Sequence, residues 1–165
     1  MEMMTPAQEA TPRRLVTVGR VIFALALAAV AAVVVPNVMD ALSRGKQKRT
    51  MGDMRTIATA IESYSIDHHD AYPITRAPAA AALEEVVPLL VPTYVKEIPR
   101  VDGWGRPFEL ESTAKEYTIT SRGSDGRPDM PDGPSIEPNG GTTDFRNDII
   151  FSTGSFAQFP DGGGD

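Results

Sequence analysis

Hydrophobic and polar positions divide the chain into three regimes. From Val21 to Val35 the sequence is VIFALALAAVAAVVV, fifteen apolar residues with no polar atom in any side chain. From Met51 the apolar residues thin to Met51, Met54, Ile57, Ala58, Ile61 and Tyr64, a spacing of three and four. Thr, Glu, Asp and Arg stand between them, which predicts an amphipathic helix laying one stripe on a core. A loop begins at Ala71-Tyr72-Pro73, and Ala79 to Leu90 reads as a second, shorter helix with Leu83, Val86, Val87 and Leu90 inward. Pro88 sits too late in it for a regular last turn. Further on, Phe108 to Glu111 is a predicted strand, and Glu116 to Ser121, EYTITS, alternates as a half-buried strand does. Ser112 to Lys115 joins these two as a hairpin, and Ile149-Ile150-Phe151 is a last short strand.

The apolar run governs everything before Asp67. Fifteen residues at ~1.5 Å rise cover about 22 Å, short of a hydrocarbon core of ~30 Å. Leu15 to Gly19 and Val38 to Leu42 make up the length, with Arg20 able to snorkel toward the headgroups. Arg13-Arg14 before an apolar run also fits a cleaved secretory signal, but no small-x-small site follows in a polar stretch. A transmembrane anchor is the stronger reading. Pro36 deprives the Ala32 carbonyl of its helical donor, so a kink or local unwinding is expected there. Gly45 and Gly52 each cost about 1 kcal/mol of helix propensity, which makes Arg44 to Gly52 the weak part of the helix. Val21 to Asp67, if continuous, is roughly 70 Å long, and its first half must pack against lipid or copies of itself. Orientation is a conflict. Arg13, Arg14 and Arg20 precede the span, whereas Arg44, Lys46, Lys48, Arg49 and Arg55 follow it, a count that alone would place the large domain in the cytoplasm.

Composition narrows the rest. With 165 residues, a tail and an anchor leave one domain of about 100 residues and a modest core. A net charge of -6 argues against a nucleic-acid partner, since only Arg44 to Arg49 is a basic cluster. There are no cysteines, which excludes disulfides, thiol catalysis and Cys-ligated zinc. No Ser-in-Gly elbow, HExxH or glycine loop between strand and helix is present, so no enzyme is predicted. His68 and His69 are read as solvated residues capping the long helix rather than as zinc ligands with Asp67 and Asp70. The polar stretch from Ser121 to Asp148 carries Asp125, Asp129, Asp132, Asp144 and Asp148. Hard oxygens in a glycine-bearing loop suit calcium, but the spacing is not that of an EF-hand. On composition alone a solvated acidic loop is the simpler reading.

Taken together, VVPNVMDAL, DMRTIATAIESYSIDHHDAYP, YVKEIPRVDGWGRPFEL, YTITSRGSDGRPD and NDIIF resemble blocks of the type II secretion major pseudopilins, a branch of the type IV pilin-like proteins. The matches run from about Val34 to Phe151. The resemblance implies an α+β fold: a long N-terminal helix, membrane-spanning in its first half, packed on a small antiparallel sheet with a calcium-type loop. It implies calcium bound by Asp125 and Asp148, with Asn147 at a position that is often acidic and the Arg122 backbone carbonyl as a further ligand. The expected division of the chain is a cytoplasmic tail or leader (1–14), a transmembrane and assembly helix (15–42), a periplasmic pseudopilin domain (43–151) and a flexible Gly-rich tail (152–165). It implies a single-pass inner-membrane protein with its C-terminal domain periplasmic, which answers the orientation conflict. The implied function is a structural subunit of a homo-oligomeric pseudopilus that helps export folded proteins. Its implied partners are minor pseudopilins, the inner-membrane secretion platform and membrane lipid, with no nucleic acid. The sequence departs from the family at its N-terminus: Arg14 stands where the cleavage glycine is expected and Gly19 where a glutamate is expected, with Leu15 the first mature residue. Processing, methylation and the glutamate's pairing role therefore do not carry over. The alternatives are an uncleaved, membrane-anchored pilin-like binding module that does not polymerise, and a type IV pilus-like surface subunit.

Overall fold

The computed structural model describes residues 11–129, 140–142 and 144–160. Residues 130–139 of the long acidic loop with Asp132, residue 143, residues 1–10 of the tail and residues 161–165 lie outside the described residues. Helix α1 spans Thr11–Asp67 as one assigned helix, through Pro36, Gly45 and Gly52. At the proline, the Asn37 side-chain amide donates to the Val33 carbonyl at 2.8 Å. Further along, the hydroxyls of Thr50, Thr56, Thr59 and Ser63 each donate to the carbonyl four residues earlier. These side chains therefore close bonds within the helix rather than compete with it.

The chain divides into two compact units, Met1–Leu42 and Ser43–Asp165. The boundary falls where the apolar run gives way to charge. In the first unit the large apolar side chains from Val18 to Leu42 are exposed, and the apolar window has no burial within the protein. It belongs to the one helix among the described residues that is long and apolar enough to cross a membrane. Exposure of Phe23, Leu25, Leu27 and Val30 on one stretch is a large unpartnered apolar surface.

In the second unit the predicted stripe is the core. Met51, Met54, Ile57, Ala58 and Ile61 are buried, together with Ala60. Helix α2 spans Ala79–Leu90, as predicted, and buries Ala82, Leu83, Val86 and Leu90. The strands are β1 (Glu109–Ser112), β2 (Tyr117–Ser121), β3 (Gly140–Thr142), β4 (Ile149–Ser152) and β5 (Ser155–Pro160). They form one sheet in the order β1-β2-β4-β5-β3. Thr113 builds the β1–β2 turn, its hydroxyl oxygen accepting the Lys115 and Glu116 amides.

Two expectations need correction. The sheet is mixed rather than antiparallel, because β3 runs parallel to β5 at its edge. The flexible tail expected from residue 152 instead begins with a strand. Thr153 (φ 39°) and Gly154 (φ 92°) both adopt left-handed backbone, the geometry of a two-residue hairpin that turns β4 back as β5. Phe156 then meets Phe151 edge-on at 4.8 Å and lies under the Arg55 guanidinium at 5.1 Å. Those ring contacts supply apolar burial that helps hold β5 in place.

Candidate functional site

The described residues that carry the candidate chemistry lie around the turn leaving β2, beside the loop Asp102-Gly103-Trp104-Gly105-Arg106. Asp102 is the buried hub of that loop, 2% exposed. Its Oδ1 accepts the backbone N–H of Trp104 at 2.8 Å and of Arg106 at 2.9 Å. Its Oδ2 accepts the buried Ser121 hydroxyl at 2.7 Å. One carboxylate thus shapes the loop and ties it to the end of β2, using bonds strengthened by its charge. Gly103 fastens the same loop to α1. Its N–H donates to Thr50 Oγ1 at 2.9 Å, and a Cβ there would stand 2.4 Å from the Lys46 carbonyl oxygen. Only a glycine permits that approach.

Two guanidinium groups hold the turn itself. Arg106 donates from Nη1 to the Gly123 carbonyl at 2.7 Å and from Nη2 to the Ser124 carbonyl at 2.9 Å. Arg122 forks onto Glu109, with Nε donating to Oε1 at 3.0 Å and Nη2 to Oε2. Its Nη1 donates to Asp148 Oδ2 at 2.8 Å. The bonds to Glu109, then to Asp148, raise the Arg122 pKa further above its usual range. Burial pushes the Asp148 carboxyl up, against the opposing pull of Arg122. Asp148 is also paired with Asp129: its N–H donates to Asp129 Oδ2 at 2.9 Å, and the Asp129 N–H donates to Asp148 Oδ2 at 3.3 Å. Gln158 on β5 donates to the same Asp129 oxygen at 2.8 Å.

The four expected calcium ligands are placed as follows. Asp125 is exposed, and its Oδ1 accepts the Arg127 N–H at 3.0 Å. Asn147 donates its side-chain amide to Thr142 Oγ1 at 2.6 Å. The Arg122 carbonyl accepts the Gly126 N–H at 3.0 Å. Asp148 shares its Oδ2 with the Arg122 guanidinium, while its buried Oδ1 has no hydrogen-bond partner among the described residues. Calcium takes six to eight oxygens around one point. Among the described residues, no group of three or more His, Asp or Glu is arranged to hold a metal.

Asp102, Arg106, Glu109 and the Arg122 side chain were not singled out as functional from sequence. Asp-Gly-Trp-Gly is a turn signal whose aspartate suits capping of later amides. Nothing local marks the two arginines, because their partners come from other strands and loops. His68 closes α1 as a helix-end residue: its ring stacks on Tyr64 at 3.7 Å and its Nδ1 lies 2.8 Å from the Tyr64 carbonyl.

At the far side of the loop, Arg146 forks onto Asp144 and holds its carboxyl well down, to about 2 from 3.8. A lowered folded-state pKa means this pair's contribution is present above the unfolded value and is lost as pH falls toward about 2. NMR titration of the Asp144 carboxyl is expected to give a midpoint near 2, moving back toward 3.8 in Arg146→Gln. A midpoint near 3.8 in both proteins would show that the ion pair does not form in solution.

The family model described as "Type II secretion system (T2SS), protein G" matches residues 37–136, which ends before Asn147 and Asp148. A protein named "Type II secretion system core protein G" from Pseudomonas aeruginosa (strain PAO1) is 32% identical over 109 residues, covering 61% of this chain and 75% of that protein. The like-named protein of Aeromonas hydrophila is 28% identical over 108 residues, covering 61% and 74%. That of Escherichia coli K12 is 28% identical over 106 residues, covering 58% and 70%. The family match takes in α1 from Asn37 onward, the α2 segment and the β1–β2 hairpin in one frame. The chain belongs to the type II secretion system protein G family, the structural pseudopilins, and is not an enzyme.

Proposed function

We propose that the chain polymerises through the apolar half of α1 into a pseudopilus that helps carry folded proteins outward. The single observation that carries this reading is the exposed apolar surface from Val18 to Leu42 on a chain of the pseudopilin family. Such a surface needs lipid, copies of itself, or each in turn. In this reading α1 rests in the inner membrane as a single pass, and the unit Ser43–Asp165 lies in the periplasm. Copies then stack α1 against α1 under the control of minor pseudopilins and the inner-membrane secretion platform.

The absence of native cysteines makes the test direct. Cysteines introduced at the exposed Val21 and Val33 are expected to crosslink subunits into ladders. An added Ala28→Arg places a charge at the centre of the apolar run, which costs about 2.5–3.5 kcal/mol even for insertion alone. Ladders are expected to vanish in that variant. Ladders of unchanged length would reject polymerisation through this surface.

A second reading is favoured by Arg14 and Gly19, which depart from the processing and pairing positions of the family. In it the chain stays unprocessed and acts as a membrane-anchored, non-polymerising module. The intact mass of protein isolated from membranes separates the two: a chain starting near Leu15 excludes the unprocessed form.

A further inference from the structure

We propose that Arg106 and Arg122 hold the turn after β2 in place of a divalent cation, so that this domain folds and stands without calcium. The two side chains belong to different segments. Arg106, from the Asp102 loop, is bonded to the Gly123 and Ser124 carbonyls. A Cβ on Gly126 would lie 2.3 Å from Arg106 Nε, so the guanidinium also lies close against the turn's glycine backbone. Arg122 leaves the end of β2 and joins Glu109 on β1 to Asp148 beside β4. It is therefore a cation bridging two carboxylates from separate segments of the chain, the task a dication would perform.

Three observations separate this arrangement from a metal site. Both carboxylates on Arg122 already have that guanidinium as partner, Glu109 through both oxygens and Asp148 through Oδ2. The carbonyls of Gly123 and Ser124 point at Arg106 rather than at a shared centre. Asp148 Oδ1, the buried oxygen left without a partner among the described residues, belongs to the same carboxylate that carries Arg122. A cation reaching Oδ1 would meet that guanidinium's positive charge at close range. The Arg122 pair is partly buried, so salt screens it less than it screens exposed pairs.

The test is thermal unfolding of the full chain in detergent micelles, in millimolar calcium chloride and in excess EDTA. The two curves are expected to superimpose. A Tm raised by calcium in the unsubstituted protein, or stoichiometric calcium binding to it by calorimetry, would overturn the proposal. Arg122→Met is expected to lower Tm in EDTA and to make Tm calcium-dependent, since it frees Asp148 and Glu109 together. An Arg122→Met protein as stable as the parent would also overturn it. Should Arg122→Met fail to fold, Arg122→Lys keeps the charge but loses the fork, and a partial loss of Tm is expected; full stability would reject the bridging role. The calcium comparison on the parent protein stands whatever the variants do.

Discussion

Asp102→Ala is expected to destabilise the Ser43–Asp165 unit by about 4 kcal/mol. The carboxylate accepts three hydrogen bonds, from the Trp104 and Arg106 amides and from the Ser121 hydroxyl. Bonds to a charged group contribute about 1.5–3 kcal/mol each, and the three share one acceptor group, so they will not add fully. Alanine also leaves the Ser121 hydroxyl, which is 0% exposed, without its partner in a site closed to water. Against a total of ~5–15 kcal/mol this is a large fraction. For a domain of about 100 residues the melting temperature should fall by roughly 15–30 °C. Asp102→Asn is the control. It keeps an oxygen for the two amides but puts an N–H toward Ser121, and should cost about 1–2 kcal/mol. Urea unfolding of the full chain in detergent measures both. A loss below about 1 kcal/mol for Asp102→Ala would show that the loop is held by packing alone.

Tyr117→Ala is the second large effect, also near 4 kcal/mol, but for a different reason. The Tyr117 ring is 1% exposed, meets Tyr72 edge-on at 4.9 Å and stacks near Phe151 at 6.3 Å. Truncating a buried aromatic costs about 3–5 kcal/mol because the cavity closes only in part. The hydroxyl adds a polar tie, donating to Glu62 Oε1 on α1 at 2.5 Å. Tyr117→Phe keeps the ring and loses only that tie, so about 1–2 kcal/mol is expected. Equal losses for the two variants would mean that the hydrogen bond, not the packing, carries the site. Alkali gives an independent check. Burial first, and Glu62 second, hold the Tyr117 hydroxyl protonated far above its ordinary range. The unfolded chain ionises near pH 10 while the folded one does not, so stability must fall as pH rises past that value. Tyr117→Phe should lose this part of the alkaline decline.

These two residues show how unevenly the architecture was written into the chain. Tyr117 sits in EYTITS, whose alternation by itself marks it as an inward residue of a strand. Its partner Glu62 lies one position past the Ile57, Ala58 and Ile61 stripe, so the helix face was legible but the tie was not. Asp102 was visible only as half of a turn signal. Two of its partners, the Trp104 and Arg106 amides, are local, but the third depends on how the loop sits beside Ser121, nineteen residues away in sequence. The β4–β5 hairpin was missed for another reason. Thr153-Gly154 is a poor match to the usual Asn-Gly signal, and the glycines after residue 161 read as a tail. Yet Phe156 and Phe159 are the apolar residues a strand needs there.

The candidate metal loop divides in the same way. Composition marked acidic residues in a glycine-bearing loop, and family likeness marked Asp125, Asp148, Asn147 and the Arg122 carbonyl. Neither marked the Arg122 side chain, because its role requires the β1–β2 register that sets Glu109 opposite Thr120, beside the exit of β2. A charge on a flexible stem has no periodicity to read. Its partner is chosen by geometry that several strands build together.

By itself, then, the sequence determined what local periodicity can encode. It contained the apolar run from Val21 to Val35, the inward stripe from Met51 to Ile61, helix α2 to the residue, and the β1–β2 hairpin. Burial in a helix or strand repeats every 3.6 or 2 residues, so it leaves a trace along the chain. Only the tertiary structure decided which acceptors the arginines meet, that the last strand folds back, and that a parallel edge strand closes the sheet. Apart from the β4–β5 hairpin, whose turn lacks the usual signal, those outcomes rest on contacts between segments well separated along the chain, 17 residues for Arg106 and Gly123 and 26 for Arg122 and Asp148. Hydrogen bonds and ion pairs are short-ranged and directional, and no local pattern records which group will stand within about 3 Å of another.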